Sequence, residues 1–364
     1  MVSKKNLGLD LIRIFAAFLV IICHSGYFSV GISYAVVEYT GILAVDFFFV
    51  LSGLLVGKSL ILAITDTCPG TKLKRFYINR IFRTLPLYYI MLFVNSWLKG
   101  TTVPLSCFLF LHNFSEADLG FMPVAWSLSI EMWFYFVIPP FFLFLFKTFR
   151  KKCSREKAVF FAIGVLYMIP LVMRIFCILL FDPPWDNGVR KQILLRLDAV
   201  MLGVFFAALK LYAKDIYRKI STSKLTLLVS VGGILLSWIL HKYYYVLDGH
   251  YDTSVLSRIF AFTLLPTLCI LLVVYLENSQ FIENLKQFRA SRLAFWLSSL
   301  TYGIYLLQLP VFEQICPFFW DKGFAENCLG LMGAILITVI LSQITYWLIE
   351  VPSEKIRDKI LAKL

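Results

Sequence analysis

Apolar residues fall in blocks along this chain, each about the length of a helix that crosses a bilayer, and polar residues collect in the gaps between them. A spanning helix needs about 20 mostly apolar residues, because lipid offers backbone N–H and C=O groups no partner outside their own helix. None of the blocks alternates polar and apolar positions as a barrel strand does. The pattern therefore predicts an all-α, polytopic integral membrane protein with about ten transmembrane helices in one bundle. The spans fall near 9–28, 41–62, 84–98, 124–147, 158–181, 193–213, 225–246, 256–276, 294–316 and 328–349. The apolar stretch 103–111 is too short to cross and reads as a re-entrant or interfacial piece. With no repeat, low-complexity tract or soluble appendage, residues 1–364 read as a single membrane-embedded domain.

Composition strengthens this picture. Of 364 residues, 60% are apolar and only 16% charged, where a soluble domain carries roughly a quarter charged. The net charge of +13 comes from basic residues gathered in alternate loops, such as Lys72, Lys74, Arg75, Arg80 and Arg83, and at the two ends. Such an asymmetry places those loops and both termini in the cytoplasm. The charge is a topology signal and gives no reason to expect nucleic acid, which would need a soluble basic face. Lys4 and Lys5 ahead of the first span resemble a signal peptide, but Arg13 within it and the lack of a small-residue cleavage site argue for a retained helix. The eight cysteines show no metal-ligand spacing. Cys316 and Cys328 flank the last outer loop and could pair, although small buried residues are the plainer reading.

Ionisable residues inside spans are costly in lipid and mark the places where chemistry can sit. Arg13 and His24 share the first span, eleven residues apart. At about 100° and 1.5 Å per residue, that spacing puts them on one face, roughly 16 Å apart along the axis. Taken singly, Arg13 could snorkel and His24 could sit at the interface. Asp46 opens the second span near the depth of His24, where a helix dipole alone would favour a carboxylate. Glu131 lies in the outer half of the fourth span, after a Trp126 that also suits an aromatic belt. Arg80 and Arg83, three apart, share a helical face at the inner mouth and suit phosphate, which arginine binds with two parallel hydrogen bonds. No glycine-rich phosphate loop accompanies them.

These residues carry a resemblance. The chain resembles the acyltransferase-3 family of membrane-bound O-acyltransferases, which modify bacterial surface polysaccharides, lipopolysaccharide and some small molecules. The matching segments are the Arg13-to-His24 spacing, VDFFFVLSGLL (45–55), FYINRIFRTLPLYY (76–89), WSLSIEMWFYFVIP (126–139), RLDAVMLGVFFA (196–207) and SLTYGIYLLQLPV (299–311). Two departures stand out: Gln308 replaces a histidine common at its position, and Asn79-Arg80 replaces a pair of basic residues. There is also no fused esterase-like domain of the kind some relatives carry, so the acceptor is expected to meet the bundle itself.

The resemblance implies an O-acetyltransferase in the bacterial inner membrane. Acetyl-coenzyme A would be its co-substrate, a surface carbohydrate hydroxyl its acceptor and the lipid bilayer its surroundings, with no tightly bound cofactor or metal. His24 would be general base, oriented by Asp46 or Glu131, while Arg13, Arg80 and Arg83 would hold the donor phosphates. Ser52, Trp126, Ser127, Tyr302, Tyr305 and Gln308 are further candidates to line the cavity, and Trp185 and His250 lie in the outer loops expected to select the acceptor. A homo-oligomer stays open. The competing class is a transporter using Arg13, His24, Asp46 and Glu131 as a proton or anion pathway; consumption of acetyl-coenzyme A separates the two.

Overall fold

Each long apolar block of the sequence becomes a helix. The computed structural model describes residues 6–114, 120–243, 254–287 and 290–364, apart from the side chain of Ala290. His250, Lys4 and Lys5 and the end of the 225–246 span lie outside the described residues. The principal helices are α1 Leu7–His24, α2 Tyr34–Ile64, α3 Pro69–Lys99, α4 Leu105–Phe108, α5 Ala125–Arg150, α6 Arg155–Phe181 and α7 Ile193–Tyr212. They are followed by α8 Lys214–Thr222, α9 Lys224–His241, α10 Val255–Glu277, α11 Gln280–Asn284, α12 Ala290–Ile315, α13 Phe324–Thr345 and α14 Val351–Ala362. No strand occurs among the described residues.

Eight of the described helical segments are long and apolar enough to cross a membrane. The expected spans at 84–98 and 193–213 do form helices, within α3 and as α7, but neither is among the eight. Arg80 and Arg83 lie in α3; Arg196, Asp198 and Lys210 lie in α7. The 103–111 stretch is one short turn of helix, α4, followed by turns. Helices α6 and α9 present large apolar side chains outward, among them Phe161, Phe176, Leu180, Leu228 and Leu236. A soluble monomer rarely exposes such a surface; lipid accounts for it. The protein is a multi-pass membrane protein.

The described residues divide into two compact units. The first comprises those within 1–48, 219–250 and 271–348, the second those within 49–218, 251–270 and 349–364. In the first, α1 packs on α12, and α12 on α13. Asn6 caps α1 by accepting the Leu9 N–H at 3.1 Å and donates to the Glu277 carbonyl at 2.9 Å, so one side chain both starts the helix and ties it to α10. Phe28, Phe312, Cys316 and Ala334 close one apolar core of this unit.

In the second unit, α6 packs on α7, and α5 on both. Gly53 in α2 and Gly203 in α7 let two backbones touch: a Cβ on either would run into the other helix, at the Val200 and Val50 carbonyls respectively. Small residues at helix crossings serve this purpose in lipid. Arg174 of α6 is wholly buried and reaches Asp198 at 2.8 Å, the Leu195 carbonyl at 2.9 Å and Thr263 at 2.6 Å. Removing one partner of so deep a pair costs about 3–5 kcal/mol. Arg196 lies over the faces of Phe262 (4.6 Å to the centroid) and Phe49 (5.7 Å). Arg196 and Asp198 are thus both engaged inside the bundle, which is how a helix with this composition sits there. None of the eight cysteines forms a disulfide, Cys316 and Cys328 included.

Candidate active site

The first unit carries Asp10, Arg13, His24, Asp46, Tyr302, Tyr305 and Gln308. Helix α1 is continuous from Leu7 to His24, so the Arg13-to-His24 spacing keeps its helical register. Arg13 is half-buried and donates through Nη1 to Asp10 Oδ1 at 2.8 Å, one turn earlier. The same carboxylate oxygen accepts the Ser298 hydroxyl of α12 at 2.5 Å. His24 ends α1 and is half-buried. Its Nδ1 is buried without a hydrogen-bond partner. Gln308 of α12 is fully buried and its amide interacts with the imidazole. The geometry falls short of a hydrogen bond, and neither Gln308 Oε1 nor Nε2 is satisfied elsewhere. Asp46 is fully buried in α2. Tyr302 and Tyr305 are half-buried on α12, and Tyr305 meets Phe48 edge-on at 5.8 Å.

The second unit gathers Ser52, Arg80, Arg83, Trp126, Ser127 and Glu131. Tyr135, one turn after Glu131 on α5, donates its phenolic hydrogen to Glu131 Oε2 at 3.2 Å. Its oxygen lies 2.7 Å from Ser52 Oγ; with the phenolic hydrogen already used, Ser52 is the donor of that bond. The Arg80 guanidinium sits 5.9 Å from the Tyr135 ring centroid, and its Nε is buried without a partner. Arg83 is half-exposed and pairs with Glu354 of α14 at 3.4 Å. Trp126 and Ser127 are buried in the first turn of α5, with Trp126 edge-on to Phe49 at 6.2 Å.

Between α6 and α7, a short helical loop holds Trp185, Asp186, Arg190 and Lys191. Arg190 lies over Trp126 (5.0 Å) and Trp185 (5.6 Å), and Asp186 pairs with both Arg190 and Lys191. Burial alone would push the Asp186 carboxyl up, but the two cations outweigh it and hold it below the usual carboxylate range.

Several of these partners carry no obvious signal in the sequence. Asp10 in a first turn reads as a dipole partner, and Ser298, Tyr135 and Glu354 read as ordinary helix residues. His112 carries no such signal either; it is buried, with Nε2 3.2 Å from Ser129 Oγ. Among the described residues, no three His, Cys, Asp or Glu side chains cluster closely enough to hold a metal. What the first unit offers is an imidazole at the end of α1 with a buried amide beside it, and each unit has arginines suited to anionic groups.

The model of the acyltransferase-3 family, described as an acyltransferase domain, matches residues 6–347. The chain belongs to that family. Over 95% of its length it is 28% identical to a Bacillus subtilis protein provisionally named a peptidoglycan O-acetyltransferase, of which the match covers 54%. Over 86% of its length it is 24% identical to the peptidoglycan O-acetyltransferase of Listeria monocytogenes, of which it covers 51%. A Staphylococcus aureus protein provisionally named an O-acetyltransferase is 30% identical over 46% of this chain and 30% of its own. The chain thus spans about half the length of the Bacillus subtilis and Listeria monocytogenes relatives. No solved structure matches it.

Proposed function

We propose that this protein is a membrane O-acetyltransferase, which moves an acetyl or other short acyl group from cytoplasmic acyl-coenzyme A to a hydroxyl of a surface glycan. The observation that carries the reading is His24 at the end of α1, half-buried with Arg13 on the same helix, in a chain of this family. Two relatives are named for peptidoglycan, which makes it the first acceptor to try.

In this mechanism Arg13 takes the donor phosphates in the first unit, where the flexible arm of coenzyme A runs along the Arg13–His24 face of α1, and Arg80 and Arg83 are the donor-binding candidates of the second unit. That face rises about 16 Å. His24 Nε2 takes the proton of the acceptor hydroxyl as its oxygen bonds to the thioester carbonyl carbon. The carbon–sulfur bond then breaks, and the imidazolium returns the proton to the departing thiolate. The products are an O-acyl ester and free coenzyme A. A positioned base contributes roughly 10²–10⁴-fold to such a step. The protein sits in the bacterial inner membrane with both termini in the cytoplasm, where the donor is made.

The test is transfer of label from radiolabelled acetyl-coenzyme A to host glycans in membranes holding wild type or His24→Ala at equal levels. Labelled glycan with wild type alone supports the reading. Label with neither, or equally with both, overturns it.

A further inference from the structure

A fully buried glutamine whose amide satisfies neither its donor nor its acceptor is costly. Each unsatisfied buried polar group costs about 1–3 kcal/mol, and an apolar side chain of the same size would avoid it. Gln308 is in this state, on α12, which packs against α1. Its amide interacts with the His24 imidazole. His24 has the complementary deficiency, since its Nδ1 is buried and unpartnered. Both gaps lie in one place, next to the base that acyl transfer needs. Polar groups left unsatisfied inside a native fold cluster where function requires them.

Resting on the acyltransferase reading, we propose that Gln308 is the positioning residue of His24: its Oε1 accepts the Nδ1–H of the imidazole, which leaves the Nε2 lone pair free for the acceptor hydroxyl. A neutral imidazole carries one hydrogen, and the hydrogen bond made by one nitrogen decides which role the other can play. A small approach of the amide, as substrate tightens the site, completes the bond. The amide does this without charge of its own. It favours one tautomer and one ring orientation, and it leaves the donor site untouched. A residue acting in this way changes kcat and leaves the donor KM in place.

The experiment compares wild type, Gln308→Met and Gln308→His in purified membranes. Transfer kinetics are read beside the melting temperature, and carbethoxylation of His24 by diethyl pyrocarbonate is followed by mass spectrometry. Gln308→Met should lower kcat at least tenfold with KM for acetyl-coenzyme A unchanged, slow the modification of His24, and melt no lower than wild type. Gln308→His supplies a ring nitrogen that can accept the same hydrogen and should recover much of the rate. Two results would overturn the assignment. One is Gln308→Met with kcat and His24 reactivity within twofold of wild type; the other is rate and melting temperature falling together in both variants. The His24 modification rate needs no turnover, so it tests the pairing even if wild type transfers no acyl group. That last outcome would count against the acyltransferase reading alone.

Discussion

The Asp10 carboxylate holds the Arg13 guanidinium at 2.8 Å, one turn away on the same helix, and the same oxygen accepts the Ser298 hydroxyl at 2.5 Å. Arg13 is therefore neither a snorkelling anchor nor an isolated charge. One face of its guanidinium is committed to Asp10, and the pair is tied to α12 through Ser298. Asp10→Asn keeps an acceptor for Ser298 and removes the charge that fixes Arg13. The Arg13 side chain is 31% exposed, so the loss should be about 1–2 kcal/mol, one charge-assisted hydrogen bond discounted for solvent. If that loss falls on the transition state, transfer drops roughly tenfold. Kinetics on membranes with matched protein levels check it; an unchanged rate would leave Asp10 with a helix-capping role only.

How much of this was legible beforehand differs from residue to residue. Arg13 and His24 could be picked out because helical spacing and the cost of polarity in lipid both act along the sequence, whereas Gln308 came from the resemblance, as the residue in place of a histidine. Asp10 could not, since a carboxylate in a first turn has a sufficient local explanation and its link to Ser298 spans 288 positions. Asp198 stood inside a recognisable segment, yet its partner Arg174 is fixed only when α6 and α7 pack. Glu131 was expected beside an imidazole; the partners found for it within its own unit are Tyr135 and, through the phenol, Ser52. Two of the ten expected spans, within α3 and as α7, lie outside the eight strongly apolar helices, and both of these helices hold charges.

The crossing of α2 and α7 makes a prediction about stability. Gly53→Ala or Gly203→Ala puts a methyl group into a facing backbone carbonyl, where no side chain can yield. Overpacking of this kind costs about 1–3 kcal/mol. Gly232 on α9 has open space around its Cα, so Gly232→Ala should be neutral or slightly stabilising through helix propensity. Thermal unfolding in detergent separates the two cases. Equal melting temperatures for all three variants would mean that the α2–α7 approach is looser than this geometry.

Asp186 predicts a pH dependence in the loop between α6 and α7. Its carboxyl is held below the ordinary range, so the folded state binds this proton less readily than the unfolded chain does. The stabilisation is thus fully present above the unfolded value of about 4. It is lost as pH falls through the lower folded value, when Arg190 and Lys191 are released. Asp186→Asn should therefore expose the loop to limited proteolysis at pH 7, and the difference from wild type should shrink as the medium approaches pH 3. A difference between the two proteins that stays constant over that range would assign the effect to packing and remove the ion pairs from the explanation.

Arg83 faces a competitor for any anionic donor. Glu354 of α14 lies 3.4 Å from its guanidinium, and the Ser353 hydroxyl donates to the Phe82 carbonyl at 2.6 Å, which seats the start of α14 on α3. A phosphate arriving at Arg83 has to displace this carboxylate or share the arginine with it. The Arg83 and Glu354 side chains are 50% and 36% exposed, and ion pairs so open are worth about 0–1 kcal/mol. Glu354→Gln keeps the size of the side chain and removes its charge, so it should lower KM for acetyl-coenzyme A by up to about fivefold and leave kcat unchanged. Salt screens an exposed pair, so the advantage of the variant should fade as ionic strength rises. A higher KM in Glu354→Gln would reverse the assignment: the carboxylate would then be holding Arg83 in place for the donor.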